Sequence, residues 1–197
     1  MQKGENYNRP EKGSSIKVDP IKSTKHIQTI KKLLADKSLD YALFTVGINT
    51  NLRASDLLRI KVGQIKDLKP NDEIAINEKK TKKPRRINLN KSCLTAIQEL
   101  LESREYKDED YLFIGQRGRL TVPTVNAKVK SWCRAINLKG NFGGHTLRKT
   151  FGYHQRVRFG TDLPTLMEIF NHSTQKQTLA YLCVQPDEIR NVYENEL

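Results

Sequence analysis

The sequence predicts a mainly helical α+β domain with a small antiparallel sheet. Three observations carry that expectation. Several stretches place apolar residues at helical spacing, and one of them, Leu39 to Ile48, is apolar nearly all round. Two short alternating runs, EIAIN (Glu73 to Asn77) and RINLN (Arg86 to Asn90), flank a compact basic turn, as the arms of a β-hairpin do. A chain of 197 residues with 37% hydrophobic composition suffices for one domain whose core does not rely on disulfides.

Taken in order, residues 1–18 are rich in Lys, Asn, Gly, Ser and Glu and nearly free of large aliphatics, the composition of a flexible arm. A DNA contact and an idle end are both open readings of it. Order is expected from Pro20. Ser23 and Thr24 can cap a helix in which Ile27, Ile30 and Leu34 keep helical spacing. Leu39 to Ile48 predicts a buried core helix, Asn51 interrupts it, and RASDLLRI begins another helix at Arg53. After the hairpin, Lys91 to Ser103 fits a helix and Tyr111 to Ile114 a short strand leading into the turn GQRGR. Val122 to Ile136 fits a helix with Val129 and Trp132 on one face. Gly144 to Arg158, Leu163 to Phe170 and Gln175 to Leu182 complete the helices, and the chain has no internal repeat.

The formal charge is +13, with a pI of about 9.7. Basic excess that is clustered as well as large points to a polyanion, either nucleic acid or an acidic membrane. No apolar run approaches a membrane span, and the N-terminus lacks the apolar stretch of a signal peptide, so neither a span nor a leader is expected; between the two polyanions, nucleic acid and not a membrane is the expected partner. Cys93, Cys133 and Cys183 are far apart and form no CxxC pair, which argues against a disulfide framework or a zinc site. No metal is expected, and a reducing cytoplasm is the expected setting.

Chemistry concentrates in four strings. In GGHTLRKTFG, His145 and Arg148 stand three apart, which on a helix puts both on one face, roughly 5–6 Å apart at Cβ. Two such donors can grip two oxygens of one phosphate, and arginine suits the task because its fork stays charged and bonds bidentately. In NLRASDLL, Arg53 follows the apolar helix directly and Asp56 lies three residues on; a solvated salt bridge is the plainer account of that pair. The turn packs six basic residues between Lys79 and Arg86, namely Lys79, Lys80, Lys82, Lys83, Arg85 and Arg86. Such a turn can follow a DNA backbone, and one of its lysines can give a proton to a leaving oxygen. In FNHSTQKQTLAY, His172 and Tyr181 are nine residues apart. A neutral phenol is a weak nucleophile, so Tyr181 needs cationic neighbours to act as one.

Together and in this order, the strings resemble the tyrosine recombinase (phage integrase) family over about Asp19 to Leu197. NLRASDLLRI is similar to its first-arginine box, EKKTKKPRRINL to its lysine-bearing β-hairpin, GGHTLRKTFG to its H-x-L-R box and LMEIFNHSTQKQTLAY to its His-to-Tyr box. The resemblance implies a tyrosine recombinase-like catalytic domain over residues 19–197 and a site-specific DNA recombinase or integrase. It implies that Arg53 and Arg148 clamp the scissile phosphate and that Tyr181 attacks phosphorus to give a 3′-phosphotyrosyl link. Lys80 would protonate the leaving 5′-oxygen, with Lys79, Lys82 or Lys83 as alternatives under a slip of register. His145 would assist proton transfer with Tyr181, and His172 would bond the phosphate. No cofactor, metal or small-molecule substrate is implied, since rejoining reverses the attack and conserves the bond energy. A DNA-binding relative of weak catalysis and type IB topoisomerase-like relaxation are the alternatives.

Against the family pattern, Asn51 and Asn171 stand where glycine is usual, and asparagine tolerates left-handed backbone. Lys149 follows Arg148 where histidine is frequent. The family's N-terminal core-binding helical domain, which closes around DNA, has no counterpart among the roughly 20 irregular residues before the catalytic fold. In the family four protomers act on two DNA sites, so a homo-tetramer on double-stranded DNA is expected. Residues 183–197 are expected to dock on a neighbouring protomer or to fold back on their own domain.

Overall fold

The computed structural model describes residues 17–78 and 84–182. Lys79, Lys80, Lys82 and Lys83 therefore lie outside the described residues, as do most of the expected arm and the whole of the expected docking tail. The elements are α1 (Thr24–Leu33), α2 (Ser38–Asn49), α3 (Ala54–Leu57), β1 (Glu73–Asn77), β2 (Pro84–Asn88), α4 (Lys91–Glu102), β3 (Ile114–Gly115), β4 (Gly118–Arg119), α5 (Val122–Ala135), α6 (Gly144–Val157), α7 (Leu163–Phe170) and α8 (Gln175–Leu182). The mainly helical α+β class holds, with two separate antiparallel hairpins, β1–β2 and β3–β4, among the described residues.

Helix α2 is the hub. Ala42, Leu43, Phe44 and Val46 are fully buried, and the helix packs against α4 on one side and α6 on the other. Burying each of the larger side chains contributes roughly 1.5–3 kcal/mol, which explains why this segment is apolar on every face rather than along a stripe. The core around it takes in Trp132 of α5, whose ring meets Phe44 edge-on at 5.7 Å. Cys93 and Cys133 are part of this core, and burial pushes both thiols up to about 12, so they behave as small apolar residues.

Local chemistry sets the element ends. Asn90 accepts a hydrogen bond from the Cys93 amide to cap α4, and Asp162 does the same for the Thr165 amide at α7. Ser23 stands at the cap position of α1 but makes no side-chain cap bond. The second hairpin strand runs two residues earlier than its alternation suggests, pairing Pro84 with Asn77 and Asn88 with Glu73. The reason is that Leu89 turns away to exchange bonds with Asp72 and Asn71, and Asn90 is already a helix cap. The strand expected over Tyr111 to Ile114 reduces to one bridge from Tyr111 to Lys61, followed by the two-residue β3.

Helix α6 is held from three sides. At its start Gly144 donates to Asn126 of α5, and Thr146 Oγ1 accepts from the Gly143 amide. Along its back, the Ile21 amide donates to Thr150 Oγ1 and the Ile21 carbonyl lies 2.9 Å from His154 Nε2. The Lys17 carbonyl is also bonded, by Asn141, so the chain is anchored slightly earlier than the expected arm boundary. At its far end Gly152 faces α7 and α8: a Cβ there would stand 2.5 Å from Phe170 Cζ and 3.0 Å from Leu182 Cδ2. Glycine in a helix interior costs up to about 1 kcal/mol relative to alanine, whereas forcing a methyl into a packed ring costs about 1–3 kcal/mol. Gly152→Ala is therefore expected to destabilise by about 1–2 kcal/mol in urea unfolding, and a more stable variant would contradict this packing.

Candidate active site

Arg148 projects from α6 into the protein and is only 2% exposed. Its Nη1 donates to the Asn51 carbonyl at 2.9 Å and its Nη2 to the Phe170 carbonyl at 2.8 Å. The guanidinium also lies 5.0 Å from the Phe170 ring centre and 5.6 Å from that of Tyr181. Burial, reinforced by the charges of Arg53 and Arg85, pulls its pKa down to about 10, against the opposing pull of Tyr181 and Glu78. It nevertheless remains a cation at neutral pH.

Both carbonyl acceptors are presented at left-handed asparagines. Asn51 and Asn171 each have φ of 53°, a left-handed conformation that asparagine tolerates better than most residues. At Asn171 the chain closes α7 with the His172 amide bonding back to the Met167 carbonyl, the geometry of a helix C-cap. That leaves the carbonyls of Ile169 and Phe170 pointing out of the helix end. Phe170 takes Arg148, while Ile169 takes Arg85 Nη2 at 2.8 Å and Asn51 Nδ2 at 2.9 Å. Cations are favoured at this negative end of the helix.

Arg53, at the start of the single-turn α3, is partly exposed and lies 2.9 Å from Glu78 and 3.9 Å from Asp56. The plain reading of Arg53 and Asp56 as a solvated pair is thus corrected: Asp56 is fully buried, and the nearer carboxylate is Glu78. Arg85 differs from expectation as well. Alternation along β2 turns it inward with Ile87, where it meets Glu78 at 3.2 Å and the Asn51 carbonyl at 3.3 Å. Burial lowers its pKa. Arg86, on the opposite face, is exposed and pairs loosely with Glu73 at 3.5 Å.

The second half of the site lies across Arg148. Tyr181, on α8, places its hydroxyl 3.1 Å from Nδ1 of the exposed His145. The His172 ring stacks on Phe170 and meets Tyr181 edge-on at 5.5 Å, with its Nδ1 3.1 Å from the buried Thr178 hydroxyl. Burial first, then the charges of Arg148 and Arg53, lower His172 to about 4, so it is a neutral imidazole at physiological pH. Buried Lys149 brings its ammonium 5.5 Å from the Tyr181 ring centre. Five of the six residues picked out for chemistry therefore converge, and Lys80 lies outside the described residues. Glu78 and Thr178 were missed in the sequence. Glu78 opens a string whose signal lies in its cations, and Thr178 stands in the T-x-x-Y pattern of the His-to-Tyr box with no role implied for it. Among the described residues no group of three or more His, Cys, Asp and Glu is placed to hold a metal, and no helix is long and apolar enough to cross a membrane.

The chain is similar to known proteins along most of its length. The model of the phage integrase family matches residues 22–188. A probable integrase/recombinase of Bacillus subtilis, YoeC, is 37% identical over 182 residues, covering 90% of this chain and 96% of its own. Tyrosine recombinase XerC of Caldanaerobacter subterraneus is 32% identical over 174 residues, 83% of this chain and 48% of that protein, so the chain spans about half the length of that relative. The fold is shared with the XerH site-specific recombinase in a post-cleavage complex with its palindromic difH substrate: TM-score 0.70, 18% identity, 90% of this chain and 53% of that one. On the extent of the family match and the identity to YoeC, the chain belongs to the phage integrase family.

Proposed function

We propose that the chain is a site-specific tyrosine recombinase that breaks and rejoins double-stranded DNA through a 3′-phosphotyrosyl intermediate. The observation that carries the reading is Tyr181, whose hydroxyl lies 3.1 Å from His145 Nδ1 and whose ring centre lies 5.6 Å from the buried Arg148 guanidinium. Such a phenol has a base to take its proton and cations to stabilise the phenolate. Tyr181 Oη attacks phosphorus, its proton passes to His145, and the bond to the 5′-oxygen breaks. Lys80 gives that oxygen a proton. Arg53 and Arg148 meet the charge that develops on the non-bridging oxygens, and neutral His172 donates to one of them. Rejoining runs the same steps backwards from another strand's 5′-hydroxyl. The names of the similar proteins, an integrase/recombinase and XerC, support the reading, as does the DNA held by XerH. Four protomers on two DNA sites would complete an exchange, with exposed Arg86 and the lysines Lys79, Lys82 and Lys83 along the DNA backbone.

A pool of randomised duplexes carrying one 5′-bridging phosphorothiolate tests the nucleophile, because the released thiol rejoins poorly. The parent chain is expected to form an adduct stable to denaturant and Tyr181→Phe none; equal adduct in both would remove Tyr181 from the role. A sulfur leaving group needs no proton. Lys80→Ala should therefore cut the rate about 10²-fold or more on the matching oxygen-linked DNA, yet approach the parent on the phosphorothiolate. Absence of that rescue would move the acid to another lysine.

The lowered His172 pKa has a signed consequence for stability. Between its unfolded value near 6.5 and its folded value of about 4, the unfolded chain binds more protons at this site. His172 therefore costs stability as pH falls through that window and not above it. His172→Gln should show a smaller drop in Tm from pH 7 to pH 5 than the parent does; equal drops would mean the imidazole is not held neutral.

A further inference from the structure

We propose that Glu78 is a positioning residue whose buried carboxylate holds the Arg53 guanidinium in place for the phosphate and ties it to Arg85 and Asn171; this rests on the recombinase reading above. Glu78 follows β1 directly and its side chain is fully buried, while that of Arg53 is 18% exposed. The carboxylate thus lies behind the arginine, seen from solvent, and orients it without facing an incoming phosphate. Oε1 lies 2.9 Å from Arg53 Nη1 and 3.2 Å from Arg85 Nη1, and Oε2 lies 3.5 Å from Asn171 Nδ2. One side chain therefore links the start of α3, the hairpin and the cap of α7, three pieces far apart in sequence. Asp56, the acid nearest Arg53 in sequence, is a full ångström further away at 3.9 Å. A buried carboxylate among arginines is weak evidence for stability, since desolvation offsets most of the attraction. The 2.9 Å contact is an ion pair rather than an aligned hydrogen bond, since Arg53 Nη1 makes none; fixing where the Arg53 charge sits is the use this geometry fits, and displacement of such a group by about 1 Å can cost 10²-fold in rate.

The test uses duplexes recovered from parent adducts in the randomised phosphorothiolate pool, with single-turnover adduct formation, binding by fluorescence anisotropy and Tm measured together. Glu78→Gln is expected to slow adduct formation about 10- to 100-fold with Kd within about threefold of the parent. If Glu78 acts through Arg53, the double variant Glu78→Gln/Arg53→Ala should be no slower than Arg53→Ala alone, within about twofold. A rate close to the parent's, multiplicative losses in the double variant, or a Kd that rises in step with the rate loss would each overturn the proposal. Should Glu78→Gln fail to fold, Glu78→Asp keeps the charge on a shorter arm. A slowed rate at unchanged Kd, again masked by Arg53→Ala, supports the role, and a parental rate overturns it. A parent chain that forms no adduct overturns the recombinase reading and this inference together, whereas a parental adduct with an unimpaired Glu78→Gln overturns this inference alone.

Discussion

The burial of the Arg148 guanidinium is the constraint on which the rest of the site depends. Taking a cation out of water costs several kcal/mol unless hydrogen bonds and compensating charge replace the solvent. Here the replacements come from two separate helix ends. The Asn51 carbonyl, where α2 stops, takes one arm, and the Phe170 carbonyl, at the end of α7, takes the other. Aromatic faces at Phe170 and Tyr181 close over the remainder. Helices α2, α6 and α7 cannot shift relative to one another without leaving a buried charge short of an acceptor. The same bonds that stabilise the cation therefore set the position of His172 and, through the Phe170 ring, of Tyr181.

This arrangement needs backbone carbonyls aimed inward at places where an ordinary helix end would turn them to water. The left-handed turns at Asn51 and Asn171 achieve it. Each reverses the chain within one residue, and Asn51 adds a side-chain bond to the Ile169 carbonyl that joins the two turns directly. An alanine at either position would carry the cost of a left-handed β-carbon, roughly 1–2 kcal/mol, and at Asn51 would lose the cross-link as well. Asparagine, unlike glycine, brings an amide to each turn: Asn51 Nδ2 donates to the Ile169 carbonyl and Asn171 Nδ2 to Glu78.

Much of this was legible in the sequence, for identifiable reasons. The helices from Gly144 onward are bounded by cap residues and glycines whose effects are local, so α7 and α8 fall where periodicity puts them. Arg53, His145, Arg148, His172 and Tyr181 were recognisable from the order and spacing of their strings, although each alone has a plainer explanation. What was not legible depends on contacts across the chain. Arg85 and Arg86 are adjacent cations with opposite fates, decided by which face of β2 packs under the α7 cap. Glu78 stands unremarked at the head of a basic string, and only the pairing of β1 with β2 carries it beneath Arg53. Thr178 matters because the fold of α8 back on the α7 cap sets its hydroxyl against His172, six residues earlier.

The charges of the cluster bear on what it is built to receive. Among the described residues, the guanidiniums of Arg53, Arg85 and Arg148 face the carboxylates of Glu78 and Asp56. The three arginines disfavour one another's charge: Arg53 and Arg85 both pull the Arg148 pKa down, and Arg53 does the same to Arg85. With buried Lys149 beside the Tyr181 ring, cations outnumber carboxylates here among the described residues. A protein selected for stability alone would have little reason to keep such a set inside its core, since apolar residues of similar volume commonly do as well or better. A phosphodiester carries a single negative charge and takes bidentate bonds from arginine. Docked against the partly exposed Arg53, it would meet those cations, and in the transition state, where a second negative charge develops, they would interact more strongly still. That difference between ground and transition state is what accelerates a reaction, so under the proposed function the cations of this cluster would lower the barrier rather than merely bind the phosphate.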